Sequence, residues 1–168
     1  MGQLKDIRRE ATDEFELIGI EDLKDFKLGE FKELDGLYFK LTVDAYGNGV
    51  KTEVVEVAGT RAIVMQRRGA VAFAESRGPE FPTTIEILFK SNEIQRLELF
   101  AQGQDSWNGL VFYDGNGNNL GGGERLPGNW HRCELPNNKQ HIKKVELNYL
   151  PGYGALSVLS SFYMWSRK

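Results

Sequence analysis

The sequence has one cysteine, two histidines and no long apolar run, and each of these shortages excludes a class of protein. A lone cysteine, Cys133, cannot form an intramolecular disulfide, and two histidines leave the chain poor in zinc ligands. The first residues lack the apolar stretch of a secretory signal, and no segment reaches the length of a membrane span. We therefore expect a cytoplasmic protein with no membrane partner.

An excess of basic residues is also missing. The 24 aspartates and glutamates outnumber the 21 lysines and arginines, which gives a formal net charge of −3. Nucleic-acid binding needs a positive field, so we expect no nucleic-acid partner. The chain has only five prolines but 19 glycines, a composition that suits strands joined by tight turns. Its 168 residues are enough for one domain with a substantial core.

Six short segments in the second half of the chain alternate apolar and polar residues. Alternation with a period of two is typical of a strand with one buried face. Glycine, asparagine, aspartate, proline or serine bounds each segment, as turns require. Together they predict an all-β fold, an antiparallel β-sandwich of the jelly-roll type. The segments are residues 83–89, 95–99, 108–113, 128–136, 143–149 and 156–165.

The N-terminal region has a different pattern. Leu4, Ile7, Ala11 and Phe15 recur at steps of three and four residues, which predicts a short helix, with a frayed tail as the alternative. We therefore divide the chain into an N-terminal helical or irregular segment, residues 1–28, and a β-sandwich domain, residues 29–168. The predicted core residues are Leu37, Phe39, Ile85, Ile87, Phe89, Leu97, Leu99, Val145, Leu147, Val158 and Phe162.

The segment 114–118, Asp-Gly-Asn-Gly-Asn, allows two interpretations. Its alternate oxygen donors are those of a calcium loop. The EF-hand pattern, however, needs glycine at the sixth position and glutamate at the twelfth, where this chain has Asn119 and Arg125. Asn-Gly and Asp-Gly pairs favour hairpin turns, because these residues accept positive φ. We predict a hairpin with no cofactor, and calcium remains the alternative.

No catalytic residue can be assigned from the sequence. His131 and Cys133 lie two residues apart on a predicted strand and share a face with Leu135, which favours a core position over a nucleophile–base pair. Glycoside cleavage uses paired carboxylates, and Asp105, Asp114 and Glu124 lie on predicted loops. That pattern leaves an enzyme as an alternative, while a non-catalytic protein is the expectation.

Trp130 gives the main functional hypothesis. If Cys133 faces inward, the pleat directs Trp130 and Arg132 outward. An aromatic platform beside hydrogen-bonding groups suits the flat face and the hydroxyls of a sugar. Packing of Trp130 beneath a loop or the N-terminal segment is the alternative. We predict that the binding surface comprises Trp130, Arg132, Trp107, Asp105, Asn108, Asp114 and Asn116.

The C-terminal half of the chain resembles galactose-binding-like jelly rolls, many of which bind carbohydrate. The resemblance lies in the order of a tryptophan, a strand ending in Leu-Pro, a strand with two spaced aliphatic residues, and Pro-Gly before a last strand. These features are residues 128–136, 142–147 and 151–154 with the strand that follows. Residues 94–100, 109–114 and 121–122 are similar instead to one repeat of a jacalin-like β-prism, the rival family.

Both families are lectin-like, so the resemblance implies a non-catalytic carbohydrate-binding module. The alternative function is a structural or protein-docking module of a larger assembly, such as a virion or a multi-subunit complex. The expected partner is accordingly a carbohydrate or another protein, and the chain could also form a homo-oligomer.

Overall fold

A computed structural model of the protein describes residues 14–44, 50–67, 83–102, 107–149 and 156–168. All regular secondary structure in these ranges is β-strand, and the strands form two antiparallel sheets. The predicted antiparallel β-sandwich is therefore confirmed. The strands are β1 (Phe15–Glu21), β2 (Gly29–Glu30), β3 (Glu33–Asp35), β4 (Phe39–Asp44), β5 (Val50–Val57), β6 (Thr60–Arg67), β7 (Thr83–Phe89), β8 (Arg96–Gln102), β9 (Trp107–Asp114), β10 (Asn119–Gly121), β11 (Glu124–Leu126), β12 (Trp130–Glu134), β13 (Ile142–Tyr149) and β14 (Leu156–Arg167).

The strand order is that of a jelly roll. Sheet A has the order β11-β12-β8-β14-β6-β5-β2, and β1 pairs with the C-terminal half of β14. Sheet B has the order β10-β9-β13-β7-β4-β3. Within them, β6-β14-β8-β12 face β7-β13-β9-β10, so that most successive strands of the chain alternate between the sheets. Eight strands in two such four-stranded layers make up a jelly roll.

The core fills the space between the two sheets. On β7, Ile85, Ile87 and Phe89 are buried and alternate with outward side chains, which explains the period of two in the sequence. Phe89 and Phe162 meet Phe39 edge to face, with ring centroids 6.0 Å and 5.0 Å apart. Such aromatic pairs add about 0.5–1.5 kcal/mol to the energy of burial alone.

Leu37 differs from the predicted core. Its side chain is 77% exposed because it lies in the connection between β3 and β4, and β4 begins only at Phe39. The prediction for Leu37 is therefore wrong. Val158 is only partly buried, whereas the other predicted core residues are buried.

A β-bulge changes which side chains of β14 face the core. The register with β8 shifts between Ser160 and Phe162, and Ser161 has a φ of 55°. Because the extra residue reverses the alternation, Leu159 and Phe162 both lie in the main core. Strict alternation would place these two side chains on opposite faces.

The start of the described chain belongs to sheet A. We expected residues 1–28 to be helical or irregular, but β1 lies within this segment, and Leu23 and Phe26 are buried in the main core. β1 is extended because its backbone pairs with that of β14, a strand that lies far from it in the sequence. The helix was predicted for residues 3–15, of which residues 3–13 lie outside the described residues, while Phe15 begins β1.

Candidate binding face of sheet A

Trp130 and Arg132 lie on the surface of sheet A that points away from the core. Cys133 and Leu135 belong to the main core, so the pleat of β12 directs Trp130 and Arg132 to the opposite side. The pairing of β12 with β8 and of β8 with β14 aligns further side chains with them. We call this surface the outer face of sheet A, and it comprises Arg96, Glu98, Phe100, Trp130, Arg132, Glu134, Tyr163 and Trp165.

A buried carboxylate joins two arginines at the centre of this face. Glu98 is fully buried, and its Oε2 accepts hydrogen bonds from Arg132 Nε at 2.9 Å and from Arg96 Nη2 at 3.3 Å. Arg96 Nη1 also lies 3.6 Å from the Glu134 carboxylate. A charge removed from water needs such partners, because an unpaired buried ion costs several kcal/mol. The network holds the Arg132 side chain in one position.

Aromatic rings surround the charged network. Trp130 meets Phe100 and Tyr163 edge on, with both centroid distances at 5.8 Å, and Tyr163 stacks on Trp165 at 6.0 Å. The Arg96 guanidinium lies over the Trp165 ring, 5.1 Å from its centroid. Trp165 is buried whereas Trp130 is only partly so. Trp130 therefore combines a fixed orientation with partial exposure to solvent.

Strand β11 lies beside Trp130 and Arg132 of β12. Glu124 on β11 is paired in register with Arg132, and its Oε2 lies 4.0 Å from Arg132 Nη1. Gly123, directly before β11, has a φ of 73°, and a Cβ there would lie 2.4 Å from the Arg132 carbonyl oxygen. Only glycine combines this φ with so close an approach. An exposed carboxylate is thus held beside the guanidinium.

Asp114 organises a hairpin between β9 and β10 in sheet B. Its buried carboxylate accepts hydrogen bonds from the backbone N–H groups of Asn116 and Asn118 and from the side-chain amides of Asn118 and Gln140. These bonds, chiefly the one from the Asn118 side chain, hold the pKa of Asp114 below its ordinary value. Both oxygens are therefore engaged in the turn. Among the described residues, no group of three or more metal-binding side chains is present.

The structure does not bring all the predicted site residues together. Trp130 is opposite Phe100 in β8, whereas Asp114 lies at the other end of the sandwich, where Gln140 contacts both Asp114 and Gln95. Asn116 belongs to the same distant hairpin. The backbones of Trp107 and Asn108 begin β9 in sheet B, and Asp105 lies outside the described residues.

Sequence reasoning missed Glu98 and Arg96 as members of the site. Both lie on a segment correctly predicted as a strand, where alternation with Leu97 and Leu99 places them on the outer face. The signal was four charged residues, Arg96, Glu98, Arg132 and Glu134, at outward positions of two predicted strands. Their mutual contact depends on the pairing of Arg132 with Glu98, which the sequence does not specify.

His131 and Cys133 differ in environment. Burial raises the pKa of the Cys133 thiol to about 12, so that it carries no thiolate at neutral pH. His131 is partly buried, its Nε2 lies 3.0 Å from the carbonyl oxygen of Ala101, and burial lowers its pKa. Because a nucleophilic cysteine needs a depressed pKa, this pair does not have the properties of a catalytic site.

Neither protein-family models nor curated proteins provide a relative from which to infer a function. No model of a protein family matches the chain, and none of the curated proteins does. Across the ranges that the structure describes, no helix has the length and apolar character that spanning a bilayer requires.

Proposed function

We propose that the protein is a non-catalytic carbohydrate-binding module whose site includes Trp130 and Arg132. The observation that carries this proposal is a partly exposed tryptophan beside a guanidinium, both held in place by neighbouring side chains. An indole offers a flat apolar surface to a sugar ring, and the guanidinium donates hydrogen bonds to its hydroxyls. Mostly apolar sites with a few convergent polar groups are typical of small-ligand recognition.

The ion network supports the proposal through preorganisation. Glu98 accepts a hydrogen bond from Nε of Arg132, while Nη1 lies 4.0 Å from the exposed Glu124 carboxylate. A hydroxyl group placed there would meet a donor and an acceptor. Because Arg132 is fixed before binding, little of its side-chain entropy is lost on binding.

The test is a glycan array probed with the whole chain, with and without calcium. We expect the wild type to bind one class of glycan and Trp130→Ala to lose that binding. The matched control is Tyr113→Ala, because Tyr113 is an aromatic residue on the outer side of sheet B with Lys144 Nζ 4.5 Å from its ring centroid. This control should bind like the wild type.

Circular dichroism would establish that each variant keeps its β-structure before binding is compared. Binding by the wild type that needs calcium would give the metal a role and weaken the case for a metal-free site. A folded wild type that binds no glycan in either condition would contradict the proposal. If Trp130→Ala and Tyr113→Ala lost glycan binding to the same extent, the result would contradict a site at Trp130.

A further inference from the structure

Strand β1 has an edge that no described strand covers. It pairs with β14 on one side, and its backbone groups on the other side have no strand partner in the described part of the chain. Natural edge strands usually carry charges or prolines that oppose pairing with another chain. β1 contains Glu16 and Glu21 and has a register shift between Leu17 and Gly19. It nevertheless exposes three apolar residues, Leu17, Ile18 and Ile20, and Ile18 is 36% exposed.

A cavity of about 220 Å³ lies beside this strand. Its apolar lining is Ile18, Leu37, Tyr38 and Met164, and the polar part is Lys90, Ser91 and Glu93. Lys90 Nζ is already bonded to Asp35 at 2.8 Å. The cavity is smaller than the roughly 300–1,000 Å³ of small-molecule sites, so one apolar side chain is a more suitable occupant.

The charged residues in and next to β1 indicate which kind of segment could pair with this strand. Residues 14–25 contain one basic residue, Lys24, and five acidic ones: Glu14, Glu16, Glu21, Asp22 and Asp25. Three of these, Glu16, Asp22 and Asp25, are exposed and form no ion pair with a described residue. A second copy would bring like charges together, whereas a basic segment would complement them.

We infer that β1 docks an extended, basic segment of a partner protein. The segment adds a strand to the free edge of β1, and one of its apolar side chains enters the cavity beside Ile18. Its lysine or arginine side chains lie near the carboxylates that surround β1. Backbone hydrogen bonds supply affinity in this mode of recognition, and the alternate side chains supply specificity. The inference does not depend on carbohydrate binding, which uses residues of β8, β11 and β12.

The experiment uses the whole chain and fluorescently labelled peptides of seven residues, the length of β1. One peptide alternates valine with lysine, and the other alternates valine with glutamate. Fluorescence anisotropy should show binding of the lysine peptide alone, and added salt should weaken it. We expect Ile18→Lys to reduce the affinity at least about tenfold, because it places a positive charge at the docking edge.

Two further variants make the result specific. Ile20→Lys should weaken binding like Ile18→Lys, since both side chains are exposed on β1. Leu88→Lys is the matched control, because Leu88 is 42% exposed on β7, a strand paired on both sides within sheet B. This control should bind like the wild type.

Equal binding of both peptides, no binding of the lysine peptide, or equal loss in Leu88→Lys would overturn the inference. Sedimentation of the wild type gives another decisive outcome. A dimer that Ile18→Lys converts to a monomer would identify a second copy, and not a basic partner, as the occupant of the edge.

Discussion

The outer sides of the two sheets differ although both carry charged and aromatic residues. On sheet B, Lys144 lies 3.6 Å from Glu86 and 3.9 Å from Glu146, and all three side chains remain accessible to solvent. On sheet A, Glu98 and Arg96 are buried, and Trp165 and Tyr163 pack beside them. The outer face of sheet A therefore contains a small second core, of which Trp130 forms the accessible border.

This difference shows that residue type alone does not determine the energy of an ion pair. Exposed pairs such as those of Lys144 typically contribute about 0–1 kcal/mol, because water screens them. A buried pair such as Glu98–Arg132 adds little net stability as a pair, but loss of one partner strands an unpaired charge. Substitutions at matched positions on the two sheets can therefore test the comparison.

The largest expected effect is that of Glu98→Ala. It removes the buried carboxylate that bonds both Arg96 and Arg132, and it leaves Arg96 only the more distant carboxylate of Glu134 at 3.6 Å. We therefore expect the free energy of unfolding to fall by about 3–5 kcal/mol. Glu86→Ala on sheet B should change it by less than about 1 kcal/mol. Urea denaturation followed by tryptophan fluorescence measures both. If both variants lost a similar amount of stability, the ion pairs on the outer sides of the two sheets would not differ in energy as we describe.

Trp130→Ala should have a smaller effect on stability. Because Trp130 is partly exposed, we expect a loss of about 1–3 kcal/mol, less than the ~3–5 kcal/mol of a fully buried tryptophan. Tyr113→Ala, the equivalent on sheet B, should cost less than about 1 kcal/mol. A loss for Trp130→Ala as large as that for Trp165→Ala would show that the indole is not accessible to a ligand.

The smallest effects concern pH. Burial lowers the pKa of His131 in the folded state, so the unfolded chain binds its proton more readily. Stability should therefore decrease as the pH falls through about 6.5, the ordinary pKa of histidine. His131→Gln removes this dependence, which denaturation at pH 5 and pH 8 would detect. Equal dependence in the wild type and the variant would contradict the assignment.

Asp114 should make stability depend on pH in a more acidic range than His131 does. Its hydrogen bonds lower its folded-state pKa, so its contribution is present above the ordinary value of about 3.8 and is lost as the pH falls below it. The stability difference between the wild type and Asp114→Asn should shrink over that range. A difference that stays constant down to pH 2 would show that the hairpin does not depend on the carboxylate charge.

The sequence by itself determined the fold class and most of the core. Alternation in β7, β8 and β13 is a local property, and it identified Ile85, Leu97 and Val145 as buried residues. The glycine- and asparagine-rich turn after Asp114 was also predictable, because positive φ and side-chain bonds to nearby N–H groups depend only on neighbouring residues. The pleat alone placed Trp130 and Arg132 on one side of a strand.

Only the tertiary structure decided the rest, since contacts between distant residues control it. A single bulge at Ser161 reversed the alternation of β14, and β1 is extended because β14, far along the chain, pairs with it. Strand pairing, and not sequence proximity, brings Arg132 to Glu98. It likewise places the Asp114 hairpin at the opposite end of the sandwich from Trp130, because the position of a loop is set by where its strands end.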